Sequence, residues 1–120
     1  MMRAMGETGR RDAALLGSDL ILGSRLRAAL ARTGIALHQA PGSEGLPASP
    51  LVFVDLNSDV DARIEAILRI TAGSPERIVV GFCDHDADGI RRRAMAAGAT
   101  RVVANRHLAE AAARLAGDRA

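Results

Sequence analysis

The chain has 120 residues and a formal charge of +2, and all 16 of its basic residues are Arg. That length fits one compact domain, the small net charge does not point to nucleic acid, and the absence of Lys excludes any mechanism that needs an ammonium side chain. Trp and Tyr are absent and Phe53 and Phe82 are the only aromatics, so the chain lacks an aromatic stacking platform for single strands. No apolar run approaches the ~18 residues of a membrane span. The start, "MMRAMGETGRRDA", carries no apolar signal segment. The lone Cys83 rules out an internal disulfide and fits a reducing compartment. These features lead to the expectation of a cytoplasmic protein with neither nucleic acid nor membrane as partner.

Residues 1–11 are polar and Arg-rich and read as a loose tail ahead of one domain, 12–120. "AALLGS" (13–18) predicts a short strand. "DLILGSRLRAALARTG" predicts a helix capped by Asp19, with Leu22, Leu26, Ala29 and Leu30 inward and Gly34 as its stop. "IALHQA" (35–40) reads as a second strand. "PGSEGLPASP" (41–50) is too rich in Pro and Gly for anything but a loop. "LVFVDL" is an unbroken apolar, β-branched run, the pattern of a strand covered on both faces. "NSDVDARIEAILRITAG" predicts an amphipathic helix with Val60, Ile64, Ile67, Leu68 and Thr71 on one side. Asn57 or Ser58 would cap it, and the acids at 59 and 61 suit the positive end of its dipole. "ERIVVGFC" is a fourth strand. "DHDADGIRRRAMAAG" is a helix with Ile90, Ala94, Met95 and Ala97 inward and Gly98 at its end. "TRVVAN" gives a fifth strand and "RHLAEAAARLAGDRA" an Ala-rich last helix.

Strands that alternate with helices predict an α/β fold: a doubly wound, five-stranded parallel sheet of flavodoxin-like order 2-1-3-4-5. In such sheets ligands meet the loops at the carboxyl ends of the strands. Those ends are Gly17, Ser18 and Asp19; Asp55, Leu56 and Asn57; Cys83, Asp84 and His85; and Asn105 with Arg106. A carboxylate in mid-strand is costly to desolvate, but Asp55 falls where its strand reaches the surface.

"LVFVDLN", taken in order with "GSRLRAAL" before it and "AMAAGATRVVANRHL" after it, resembles the receiver domains of two-component response regulators, from about Ala13 to Leu115. The resemblance puts Asp55 at the phospho-acceptor position and implies a signalling module rather than an enzyme. It also implies an acidic pocket with parts missing. The acid pair that holds Mg²⁺ reads Gly17 and Ser18, or Ser18 and Asp19 with a one-residue shift. The hydroxyl residue after strand four reads Phe82 or Cys83. The Lys after strand five reads Asn105, followed by Arg106 in place of the usual Pro, and the switch aromatic reads Val102. Phosphoryl transfer to a carboxylate relies on a cation and fixed positive groups, and Mg²⁺ wants several oxygen ligands. The expectation is therefore a degenerate receiver: no catalysis, no cofactor, Asp55 vestigial, and action through a protein partner or self-association. In receivers the face built by helix four, strand five and helix five meets the partner, and Arg91, Arg92, Arg101 and Arg106 would decorate it here.

Two alternatives stay open. One is an atypical phospho-accepting receiver that uses Asp55 and Mg²⁺, with Asp19 as the surviving ligand. The other is a small-molecule-binding α/β domain that uses "CDHD" and Asp55. The "CDHDADG" cluster (83–89) matches neither zinc nor calcium spacing, and helix capping on an acidic loop explains it. Cys83 near a helix start is either a thiol of lowered pKa or a small semi-buried residue. The missing second helix leaves one sheet face thinly covered near strands one and three; a partner, a second copy, or Leu46 folding inward would cover it.

Overall fold

The computed structural model describes residues 12–119, so the stretch 1–11 read as a tail lies outside the described residues. Parallel pairing joins β1 (Asp12–Leu16), β2 (Ala36–Ala40), β3 (Leu51–Asp55), β4 (Ile78–Cys83) and β5 (Arg101–Ala104) into one sheet of order β2-β1-β3-β4-β5. The helices are α1 (Leu20–Ala31), α2 (Val60–Gly73), α3 (Asp88–Ala96) and α4 (Leu108–Arg119), with a 3₁₀ turn at Asn105–His107 between β5 and α4. This is the doubly wound sheet that the alternation predicts.

Side chains alternate across a strand, and the sheet uses both faces. Leu15, Leu51, Phe53, Val80 and Phe82 pack with Leu26 and Leu30 of α1 and Leu108, Ala112 and Ala116 of α4. Leu16, Val52, Val54, Val79 and Cys83 pack with Ile64, Ala66 and Ile67 of α2, Ala94 of α3 and Ala97 just after it. Every residue of β3 is buried, which accounts for its lack of alternation.

Loop 41–50 stands where another crossover helix would run. Leu46 packs against the α2/α3-side core, so the inward-folding side chain is the arrangement found. Arg77 holds the loop down: its Nε donates to the Ser49 carbonyl at 2.7 Å and its Nη2 to the Pro47 carbonyl at 3.3 Å.

Several helix expectations are corrected. Leu68 and Met95, expected inward, are 51 % and 47 % exposed. On α2 the buried residues are Arg63, Ile64, Ala66 and Ile67, so the inward stripe is rotated away from Leu68 and admits an arginine. The N-cap of α2 is Asp59, at φ 51°, rather than Asn57 or Ser58, because the side chain of Asn57 is committed to Asp55 and Asn105. The N-cap of α3 is Ala87 with no side-chain capping bond, so the acids of 84–88 do not cap that helix by hydrogen bonding. No helix among the described residues is long and apolar enough to cross a membrane.

Candidate functional site

The carboxyl ends of β1, β3, β4 and β5 bring Gly17, Asp55, Asp84 and Asn105 to one edge, as the strand order requires. Asp55 is only 4 % exposed. Its Oδ1 accepts from the Asn57 backbone N–H and from Asn57 Nδ2, both at 2.8 Å. An Asp whose side chain takes the N–H two residues on forms a local turn, which here bends the chain from β3 into α2. Asn57 and Asn105 then pair through both side-chain amides, at 3.0 and 2.9 Å. Asn105 Nδ2 also donates to Asp84 Oδ1 at 3.1 Å. The result is a hydrogen-bonded row, Asp55–Asn57–Asn105–Asp84, that ties β3, β4 and β5 together across their ends.

On the other side of Asp55 stands Gly17, aligned with it because Leu16 pairs with Val54. A Cβ on Gly17 would lie 2.7 Å from Asp55 Cβ and 3.3 Å from its Oδ2. No side chain fits there without displacing Asp55. Ser18 is exposed. Asp19 is engaged as the cap of α1, where its Oδ1 accepts from Leu22 N–H at 2.9 Å. Gln39 Nε2 donates to the carbonyls of Gly17 and Asp19 at 3.1 and 3.4 Å and holds this turn in place.

Cys83 is 1 % exposed, and burial pushes its thiol up from its ordinary pKa, with Arg91 acting against that and Asp84 with it. The lowered-pKa reading is thereby corrected: desolvation outweighs the nearby guanidinium. The Arg run does not form one patch. Arg91 Nη1 donates to the Val102 carbonyl at 2.7 Å, and Arg93 reaches Asp61 Oδ1 at 2.6 Å across to α2. Arg92 and Arg106 are exposed, and Arg106 Nε donates to His107 Nε2 at 3.3 Å. Arg91 and Arg101 line a cavity of about 350 Å³ between α3, β5 and α4, together with His107, Glu110 and Arg114. Among the described residues no three His, Cys, Asp or Glu side chains converge as a metal-ligand group.

Sequence reasoning passed over Gly17 as a contact residue, Asn57 as a donor, and Arg63. A signal for Arg63 existed: it lies at helical spacing from Val60 and Ile67, on the apolar stripe of α2. An arginine there is either exposed, so that the stripe shifts, or buried with partners.

No protein-family model matches the sequence, and no curated protein does either. Solved structures do. The chain is 17 % identical to a CheY-like protein, TadZ, from Pseudomonas aeruginosa PAO1, with TM-score 0.73, covering 89 % of this chain and 94 % of that one. The beryllofluoride-activated DrrB receiver domain matches with TM-score 0.76 at 17 % identity, with the same coverages of 89 % and 94 %. A putative pilus assembly-related protein from Burkholderia pseudomallei matches with TM-score 0.69 at 19 % identity, covering 92 % of each chain. The fold is thus that of CheY-like receiver domains.

Proposed function

We propose that this chain is a receiver-like signalling module that acts by docking to a protein partner or to a second copy of itself, with no phosphorylation of Asp55 and no cofactor. The observation that carries this reading is the closure of Asp55. One carboxylate oxygen already takes two donors from Asn57, and the neighbouring strand end is a glycine with no room for a side chain. A phosphoryl group arriving on a carboxylate brings charge that must be met by a cation and fixed donors. Mg²⁺ wants near-octahedral oxygen ligands. Here Gly17 offers no side-chain ligand, the Asp19 carboxylate is turned to α1, where its Oδ1 caps the helix, and Asn105 stands where the resemblance expects an ammonium. These residues do not fit a magnesium-dependent phospho-acceptor.

For docking, the face between α3, β5 and α4 supports the reading through its charge. Arg91, Arg101 and Arg114 surround a cavity in which Glu110 is the acid, and Val102, Val103 and Ala111 form its apolar part. The test is incubation with acetyl phosphate and Mg²⁺ followed by intact-mass measurement. Unmodified protein is expected. A stoichiometric phosphoryl adduct in the wild type that is lost in Asp55→Asn would refute the proposal and favour the phospho-accepting alternative.

A further inference from the structure

Among the described residues two charged side chains are fully buried, Asp55 and Arg63, each 4 % exposed and of opposite sign. Arg63 Nη1 donates to the main-chain carbonyl of Asp55 at 2.8 Å and reaches the Leu16 carbonyl at 3.4 Å. Its Nη2 reaches the Pro41 carbonyl at 3.4 Å. Leu16 ends β1, Asp55 ends β3 and Pro41 follows β2, so one guanidinium gathers the ends of three neighbouring strands. The position a Gly17 Cβ would take is 3.3 Å from Asp55 Oδ2 and 3.5 Å from Arg63 Nη1, so both charged groups lie against the same glycine. Among the described residues the one carboxylate bridged to Arg63, that of Asp59, is 3.8 Å away with its side chain 74 % exposed, and is screened by solvent.

A carboxylate this deep needs a compensating charge, and so does a guanidinium. Attraction between the two is strong at low dielectric even without direct contact. Arg suits the place because its planar fork of donors can serve several carbonyls at once, which the compact head of Lys cannot do in the same way. We infer that Arg63 is the built-in counter-ion of Asp55: a cation supplied by the chain itself that compensates the buried carboxylate and fixes the ends of β1, β2 and β3. The inference deepens the reading of an Mg²⁺-free site proposed above, and it is tested by a measurement that does not involve phosphorylation.

The experiment is urea unfolding of the wild type, Asp55→Asn, Arg63→Met and the double variant. Asp55→Asn keeps an oxygen acceptor for Asn57, removes the charge, and turns the other carboxylate oxygen into an amide donor. Each single variant is expected to raise the unfolding equilibrium constant about tenfold or more. The double variant should be about tenfold more stable than additivity of the singles gives, because the second substitution removes a charge the first left uncompensated. Additive losses overturn the inference and leave Arg63 a clamp for carbonyls only. Should Arg63→Met not fold, Arg63→Gln, which removes the charge and keeps donors for the carbonyls, takes its place in the same cycle and is read in the same way: coupling supports the pairing, additive losses overturn it. A phosphoryl adduct in the earlier test leaves this outcome unaffected, and additive losses here leave the docking proposal standing.

Discussion

Gly17 is the residue on which the site turns. Its missing side chain lets β1 approach β3 beside Asp55, with 2.7 Å separating the would-be Cβ from that of Asp55. Gly17→Asp restores an acid at one of the positions where receivers carry one, yet forces it against a buried carboxylate. Steric overpacking alone costs about 1–3 kcal/mol, and like-charge repulsion adds to it. The urea midpoint of Gly17→Asp is expected to fall clearly, with no stabilisation by Mg²⁺; a midpoint equal to the wild type's means the edge can open to accept a side chain. Cys83 gives a pH prediction. Its thiol is pushed up from an ordinary pKa of 9.0, so the folded state keeps its proton where the unfolded chain would release it. By linkage, this contribution to stability is present in full below about pH 9 and is lost as pH rises through the raised value. Unfolding measured from pH 7 to 10 should show a steeper decline for the wild type than for Cys83→Ala; parallel curves contradict it.

Asp55 was legible from "LVFVDLN" because a carboxylate at the end of a buried run has few places to go. The residues around it were not, because Gly17, Arg63 and Asn105 belong to three other segments of the chain, and only the strand order and register bring them together. Asn57 is the exception, since an acceptor two residues before an amide donor is a local pattern that the sequence displays.

Between elements, the α2–α3 contact rests on a close fit. Thr71 Oγ1 lies 2.9 Å from the Ile67 carbonyl on its own helix and 3.1 Å from the Ala97 carbonyl at the end of α3. Gly98, at φ 116°, would place a Cβ 2.5 Å from that hydroxyl. Gly98→Ala is therefore expected to cost about 1–3 kcal/mol through backbone strain and overlap. Adding Thr71→Ala should recover part of that loss, as neighbours couple; strict additivity in urea unfolding argues that strain alone is at work. Loop 41–50 is held by Arg77, whose guanidinium pKa is lowered by burial and partly restored by Glu76. Arg77→Met should cost about 1–2 kcal/mol from lost charged hydrogen bonds and speed amide exchange in the loop; unchanged exchange means that Leu46 alone holds it. At this scale the sequence was informative about strands and loops, where Pro, Gly and β-branched runs act locally. It was less so about helix faces. Leu68 and Met95 satisfy the periodicity as well as their buried neighbours do, and which stripe turns inward depends on what the sheet presents.

The whole molecule follows from strand order. Order β2-β1-β3-β4-β5 gathers the carboxyl ends of β3, β4 and β5 into one polar row and leaves β5 as an edge beside the Arg-lined cavity. Alternation of elements made that topology readable, because parallel strands need crossovers and crossover handedness leaves few arrangements. What the chain does with the fold depends on a site in which Asn57 and Asn105 already engage Asp55 and Asp84 and Gly17 leaves no room for a further side chain. The most direct test of that claim is a two-dimensional amide NMR titration with beryllofluoride and Mg²⁺, which together imitate a phosphorylated aspartate. The account predicts no saturable shifts at Gly17, Asp55, Asn57, Asp84 or Asn105. Saturable shifts centred on those amides, absent in Asp55→Asn, would contradict it.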